Sequence, residues 1–212
     1  MKQQILVIGA GFGGVWSALS AARLLDKHDR NDVQITLLAP QAELRIRPRF
    51  YEPDVHTMAA PLGDLFDAVG VKFVKGTADN IDTDKKQVNY SDVFGTQGTL
   101  SYDRLVLAAG SRLVRPAALQ GINEYAFDVD EIESAARLEA HIKALKNQPS
   151  TPARNTVVVC GGGFTGIETA TEMPARLRAA LGDDTPIRVI VVDRAPTPGA
   201  SLGDGIGPSL IE

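Results

Sequence analysis

Six glycines carry the first chemical signal in this sequence. Gly9, Gly11 and Gly14 in "ILVIGAGFGG", and Gly161, Gly163 and Gly166 in "VVVCGGGFTG", stand at the spacing G-x-G-x-x-G. Each set follows a short apolar run and precedes apolar residues at helical spacing, so each sits in a strand-turn-helix context. There the first glycine permits a tight turn, the second lets the backbone approach a pyrophosphate, and the third lets helix and strand pack closely. The helix start then offers unpaired N–H groups and a partial positive charge to phosphate. Phe12 and Gly13, and Phe164 and Thr165, fill the remaining motif positions and count as residues of the same two candidate sites. A glycine-rich turn that binds nothing is the alternative for one copy. Two copies in matching context favour binding.

An acid at the end of the strand after each glycine turn would accept from an adenine ribose hydroxyl. "IRVIVVDR" places Asp193 there, and its charge would repel a 2′-phosphate, favouring NADH over NADPH; the neighbouring Arg194 moderates that preference. A solvated loop acid is the plainer reading of the same residue. The first unit departs from the pattern, because "ITLLAP" puts Ala39 and Pro40 at that point. Gln41 or Glu43 would have to reach the ribose, or the site manages without a carboxylate. Thr165-Gly166-Ile167-Glu168 fits S/T-x-x-E, a capping box at a helix start. Pro174 falls inside the helix that follows and should kink it or end its first segment.

The elements that position these residues read as follows. Ile5–Ile8 is a strand buried on both faces, Val15–Leu25 has helical spacing, and Val33–Leu38 is a second strand, which makes a right-handed β-turn-α-β unit. Residues 41–69 are broken by Pro48, Pro53 and Pro61. From Val71 to Tyr102, short β-rich runs separated by turn residues predict an antiparallel meander rather than a further helix-strand repeat. "RLVLAAG", Arg104 to Gly110, is another buried strand, and Asp130–Lys146 has helical spacing. Pro149 and Pro152 mark a linker, after which Thr156–Val159, a helix to about Leu181 and Ile187–Val192 restart the β-turn-α-β pattern.

Composition narrows the function. A net charge of −4 gives no electrostatic reason to expect nucleic acid or an anionic membrane as partner. The single cysteine, Cys160, excludes an intrachain disulfide and any Cys-x-x-Cys redox or zinc pair, and no metal site is expected. Its place at a strand end reads as buried core rather than a catalytic thiol. His28, His56 and His141 are scattered and form no triad or metal cluster with other residues. No uninterrupted apolar run is long enough to cross a membrane. Residues 5–22 imitate a secretory leader, but a strand and glycines at functional spacing account for them better.

Two dinucleotide units separated by a meander and an "LAAG" strand resemble the two-dinucleotide flavoproteins, the pyridine nucleotide-disulfide oxidoreductases. "GAGFGG", "YDRLVLAAGS" (Tyr102 to Ser111) and "VVVCGGGFTGIE", in that order, are most similar to the type II NADH dehydrogenase branch. The resemblance implies an α/β fold, an FAD/NAD(P)-binding Rossmann-like three-layer architecture with an antiparallel β-meander and an incomplete second Rossmann-like unit. It divides the chain into residues 1–112, binding FAD, residues 113–152, a connecting loop and helix, and residues 153–212, the first half of an NADH-binding domain. FAD and NADH are the implied cofactors, and a quinone or another diffusible acceptor takes the electrons, since the chain lacks the cysteines of the family's disulfide and sulfide reductases. Ala109 and Gly110 fall on the strand end that lies against the flavin nucleotide in the family. Glu168 matches a glutamate near the nicotinamide, a catalytic-site role compatible with a capping box. "IRPRFYE", Ile46 to Glu52, falls where the family's chain passes the flavin, so Arg47, Arg49 or Glu52 would touch cofactor or else lie on a solvated loop.

In the family a later Gly-Asp segment returns to the FAD domain, and "GD" at 182–183 and 203–204 lies in the wrong place for it. The chain therefore reads as an N-terminal portion, cytoplasmic, and peripheral to the inner membrane in a full-length form. A complementing C-terminal polypeptide or a homodimer is the expected protein partner. A redox-inactive nucleotide-binding or interaction module, or one half of a split enzyme, is the competing reading.

Overall fold

The computed structural model describes residues 2–197, 199 and 200. It divides into two compact units, one formed by residues up to Arg45 with Ala59–Arg112, the other by Ile46–Met58 with residues from Leu113 onward. Residues 46–58, which the sequence alone leaves inside the first domain, thus group with the second.

In the first unit, strand β1 (Gln3–Ile8) leads through the first glycine turn into helix α1 (Phe12–Lys27) and back to strand β2 (Val33–Ala39). A short hairpin follows, β3 (Glu43–Arg45) with β4 (Ala59–Pro61), then helix α2 (Gly63–Ala68) and strand β5 (Val71–Lys75). Strands β6 (Thr77–Asp82), β7 (Gln87–Ser91) and β8 (Gln97–Ser101) form an antiparallel sheet, and β9 (Arg104–Leu107) returns to the first one. The parallel sheet has the order β5-β2-β1-β9.

One expectation is corrected here. The run "VKFV" is not the first strand of the meander but β5, parallel to β2 with Ile35 opposite Val71. The physical reason lies in α2, whose Phe66 is 1% exposed and stacks on Phe73 of β5 at 6.0 Å between ring centroids. That buried aromatic turns the proline-broken segment into a helix-strand return, which periodicity over six residues is too short to reveal.

Alternation along β1 and β2 builds the three layers. Val7, Ile35, Leu37 and Ala39 face Val15 and Ala18 of α1 and Phe66 of α2. Leu6, Ile8 and Leu38 point the other way, against Val88, Tyr90 and Leu100 of the meander. Both faces are covered, as near-continuous apolar strands of a parallel sheet require.

In the second unit, a short helix α3 (Ile122–Tyr125) and helix α4 (Ile132–Ala144) precede strand β10 (Thr156–Cys160), helix α5 (Phe164–Leu181) and strand β11 (Arg188–Val192). β10 and β11 are parallel, with Val158 opposite Ile190 and Cys160 opposite Val192. Ile142, Leu145, Met173 and Leu177 pack on one side of this pair, against Val157 and Val189. The other side is bare among the described residues: Val158 is 55% and Val192 53% exposed. Cys160 shares that face and is exposed, so the core role expected for it is corrected. Its counterpart in the first unit, Ile8, is buried only because the meander covers that position.

Pro174 neither ends nor splits α5, which continues to Leu181. An interior proline costs about 3 kcal/mol. Its neighbours Met173 and Leu177 are 1% and 0% exposed, and their burial, at about 1.5–3 kcal/mol each, offsets that cost.

Candidate functional site

The two glycine turns have the same construction. Gly9 and Gly161 adopt φ of +108° and +115°, a region that favours glycine. Their N–H groups donate to the carbonyls of Leu38 and Val192 at 2.9 and 2.8 Å, which ties each turn to the strand beside it. A Cβ on Gly14 would lie 1.9 Å from the Gly9 carbonyl oxygen, and one on Gly166 1.9 Å from that of Gly161. These third glycines therefore admit the close helix-strand approach. Gly11 and Gly163, which cap the helices in extended conformation, face open space. The turn role and the close-packing role are met twice, and the second glycine is open in both turns.

The helix starts match as well. Neither α1 nor α5 has a side-chain cap or an acidic residue in its first turn, whereas α2, α3 and α4 carry Asp64, Glu124 and Glu133 there. The positive ends of α1 and α5 thus carry neither an acid nor a side-chain cap from their own first turns. Phe12 and Phe164 open the helices and are 45% and 62% exposed. Gly13 lies beside Ala108, and its carbonyl accepts from Ser17 Oγ at 2.6 Å. The Thr165 carbonyl accepts from Thr169 Oγ1 at 2.6 Å.

Beyond β9, Ala109 and Gly110 are exposed beside the first turn, with Gly110 at φ +72°. Ala108 matters more to the geometry than the sequence suggests. Its N–H donates to the Ile8 carbonyl at 2.8 Å, and its own carbonyl would stand 2.2 Å from a Cβ on Gly9. Small residues at 108–110 were the available signal, though not which of them touches the turn. The second unit has no counterpart to β9 among the described residues, and Gly161 faces open space there.

Asp193 stands at the end of β11 and is exposed, but its carboxylate is not idle. It accepts from Ala195 N–H at 2.7 Å and Gly162 N–H at 2.5 Å, and these two bonds hold it below the usual carboxylate range. Gly162 also explains itself: a Cβ there would lie 3.3 Å from the Asp193 side chain. The first unit has Ala10 and Ala39 at the matching positions, with no carboxylate to accommodate. Neither donor to Asp193 was legible in the sequence.

The capping box expected at Thr165 and Glu168 is absent. The cap is Gly163, and no side chain bonds to the helix start. The close turn demanded by Gly166 places the helix start two residues earlier than the S/T-x-x-E pattern implies. Glu168 is half-buried; its carbonyl accepts from Thr171 Oγ1 at 3.0 Å, and its carboxylate has no hydrogen bond or ion pair among the described residues. Arg47 pairs with Asp130 at 2.9 Å, and Arg49 with Glu52 at 2.6 and 2.5 Å, all within the second unit.

A model of the pyridine nucleotide-disulphide oxidoreductase family matches residues 3–211. The chain belongs to that family. It is 43% identical over 213 residues to an NADH dehydrogenase-like protein of Mycobacterium tuberculosis, covering 98% of this chain and 52% of that protein. It is 26% identical to a type II NADH:quinone oxidoreductase of Staphylococcus haemolyticus, covering 92% of this chain and 50% of that one. Among solved structures it resembles the NDH2 of Plasmodium falciparum in complex with NADH, with a TM-score of 0.78 at 18% identity, over 98% of this chain and 45% of that chain. The chain spans about half the length of the curated relatives it matches. As a family member it has the Rossmann-like α/β fold with parallel and antiparallel sheets. Among the described residues no helix is long and apolar enough to cross a membrane, and no group of His, Cys, Asp and Glu could hold a metal ion.

Proposed function

We propose that this chain is the FAD- and NADH-binding portion of a flavin-dependent NADH oxidoreductase of the type II NADH dehydrogenase kind. The observation that carries this reading is the paired turn: two helix starts free of acid and caps, each behind an open glycine. The glycines at 9, 11 and 14, with Phe12, Gly13, Ala109 and Gly110, hold FAD. Those at 161, 163 and 166, with Phe164, Thr165 and Asp193, hold NADH, and Glu168 meets its nicotinamide end. Each cradle fits a diphosphate, since its helix start presents main-chain N–H groups with no acidic residue in the first turn. Asp193, kept ionised by its two N–H donors, accepts from the adenine ribose and disfavours a 2′-phosphate.

The chemistry supplied by the bound cofactors is hydride transfer from nicotinamide to flavin, followed by delivery of electrons to a quinone or another diffusible acceptor. The protein's part is orientation of the two dinucleotides through their diphosphates. The bare face of Val158, Cys160, Ile190 and Val192 receives a complementing polypeptide or a second copy of the chain.

The test is flavin retention and NADH oxidation by the purified chain, alone and with a polypeptide carrying the remaining half of a relative. The expected result is weak flavin binding and slow oxidation alone, with both restored by the complement. Absence of flavin binding at any concentration, with or without complement, would leave only a redox-inactive module. Brisk oxidation by the chain alone would remove the need for a complement.

A further inference from the structure

Gly162, between the first two glycines of the second turn, is held from both sides by the chain that follows β11. It is buried, so its main-chain N–H and carbonyl both need partners. The N–H donates to Asp193 Oδ2 at 2.5 Å, and the carbonyl accepts from Gly199 N–H at 2.9 Å. Ala195 N–H donates to the other oxygen of the same carboxylate at 2.7 Å. The chain beyond β11 thus doubles back onto the turn, and Gly199, buried and at φ +73°, closes the return.

The first turn is braced differently. There Ala108, just beyond β9, bonds to Ile8 and sets its carbonyl against Gly9. The second unit has no counterpart to β9 among the described residues, and the return from Asp193 to Gly199 takes that place by gripping Gly162. The fit is close. A Cβ at 162 would lie 3.3 Å from Cβ, Cγ and Oδ2 of Asp193, a separation at which the carboxylate must give way by a few tenths of an ångström. Asp193 keeps capacity for a ligand, since a carboxylate has about four lone-pair sites and each of its oxygens accepts from one main-chain N–H.

We infer that Gly162 is a positioning residue that determines dinucleotide specificity: tied to Gly199 on one side, it fixes on the other the direction in which Asp193 presents its carboxylate. This rests on the second turn being an NADH site. Aim and charge are separable in this arrangement. Acceptance from a ribose 2′-hydroxyl is a hydrogen bond, which weakens steeply as its angle closes. Repulsion of a 2′-phosphate falls only as the inverse of distance, so a small displacement leaves it almost intact. A side chain at 162 should therefore harm NADH binding and spare NADPH, with Asp193 itself still in place.

The test is titration of the full chain with NADH and with NADPH, in wild type, Gly162→Ala, Asp193→Ala and the double variant. Gly162→Ala should weaken NADH about fivefold, the worth of one hydrogen bond, and change NADPH little. In the Asp193→Ala background no carboxylate remains to be displaced, and the same substitution should shift NADH by less than about twofold. Amide hydrogen exchange reads the brace without a variant at 162: the Gly162 N–H should be protected in wild type and lose protection in Asp193→Ala. An unprotected Gly162 N–H in wild type, an unchanged ratio of the two affinities in Gly162→Ala, or the same NADH loss in both backgrounds would overturn the inference while the second site stands. Binding of neither dinucleotide by wild type would remove the NADH-site reading and the inference with it.

Discussion

A side chain added at Gly11 or Gly163 would meet no protein atom, yet it would stand where a diphosphate must approach the backbone. Gly11→Val should therefore abolish flavin binding, and Gly163→Val nicotinamide-dinucleotide binding, with the melting temperature almost unchanged. Flavin fluorescence and thermal denaturation check this together; a large fall in melting temperature would show that the glycine serves the fold instead. Gly14→Ala should do the opposite, since its Cβ would press on the Gly9 carbonyl and cost about 1–3 kcal/mol of stability. Asp193→Ala should narrow the preference for NADH over NADPH, read as the ratio of the two affinities. It also removes the acceptor of the Gly162 and Ala195 N–H groups, so both affinities should fall. At this scale the glycine roles and the position of Asp193 were legible, because spacing encodes them. The donors to Asp193, the contact of Ala108 and the exposure of Cys160 were not, because each depends on a residue distant in sequence.

Helix α5 shows where local signals lose to packing. Its start follows the close approach of Gly166 rather than the capping pattern at Thr165, and it runs through Pro174 because buried neighbours on both sides hold it. Pro174→Ala should thus raise stability, by up to about 3 kcal/mol in denaturant unfolding, where a hinge role would instead alter nucleotide affinity. Helix α4 contributes through Glu139, which is 7% exposed, pairs with Lys143 and accepts from Val55 N–H at 3.2 Å. Burial pushes its pKa up, but the Lys143 and Val55 hydrogen bonds outweigh it and leave the value below the ordinary one. A depressed carboxylate stabilises the fold above its unfolded pKa and loses that contribution as pH falls through its folded value. The stability gap between wild type and Glu139→Gln should accordingly be widest near neutrality and close below the ordinary glutamate range. A gap independent of pH would place the effect in packing alone. Positions and types of α1, α4 and α5 were legible from helical spacing. The β5 return was not, since its evidence is a buried Phe66 in a proline-broken stretch.

Over the whole molecule, one β-turn-α-β unit occurs twice in different company. Leu6 and Val158 occupy matching positions, as do Ile8 and Cys160, yet the first of each pair is buried under the meander and the second is exposed. The repeat was legible because glycine spacing repeats; the unequal burial was not, because it depends on what covers each sheet. One thiol per chain should react with a maleimide without denaturant, and a complement that covers β10 should protect it. Slow labelling of the chain alone would contradict a bare face. The most direct measurement of the account is native mass spectrometry of the chain with saturating FAD and NADH. The account predicts one FAD and one NADH per chain, the first lost in Gly11→Val and the second in Gly163→Val. A single bound dinucleotide, or loss of both in either variant, would contradict two independent cradles.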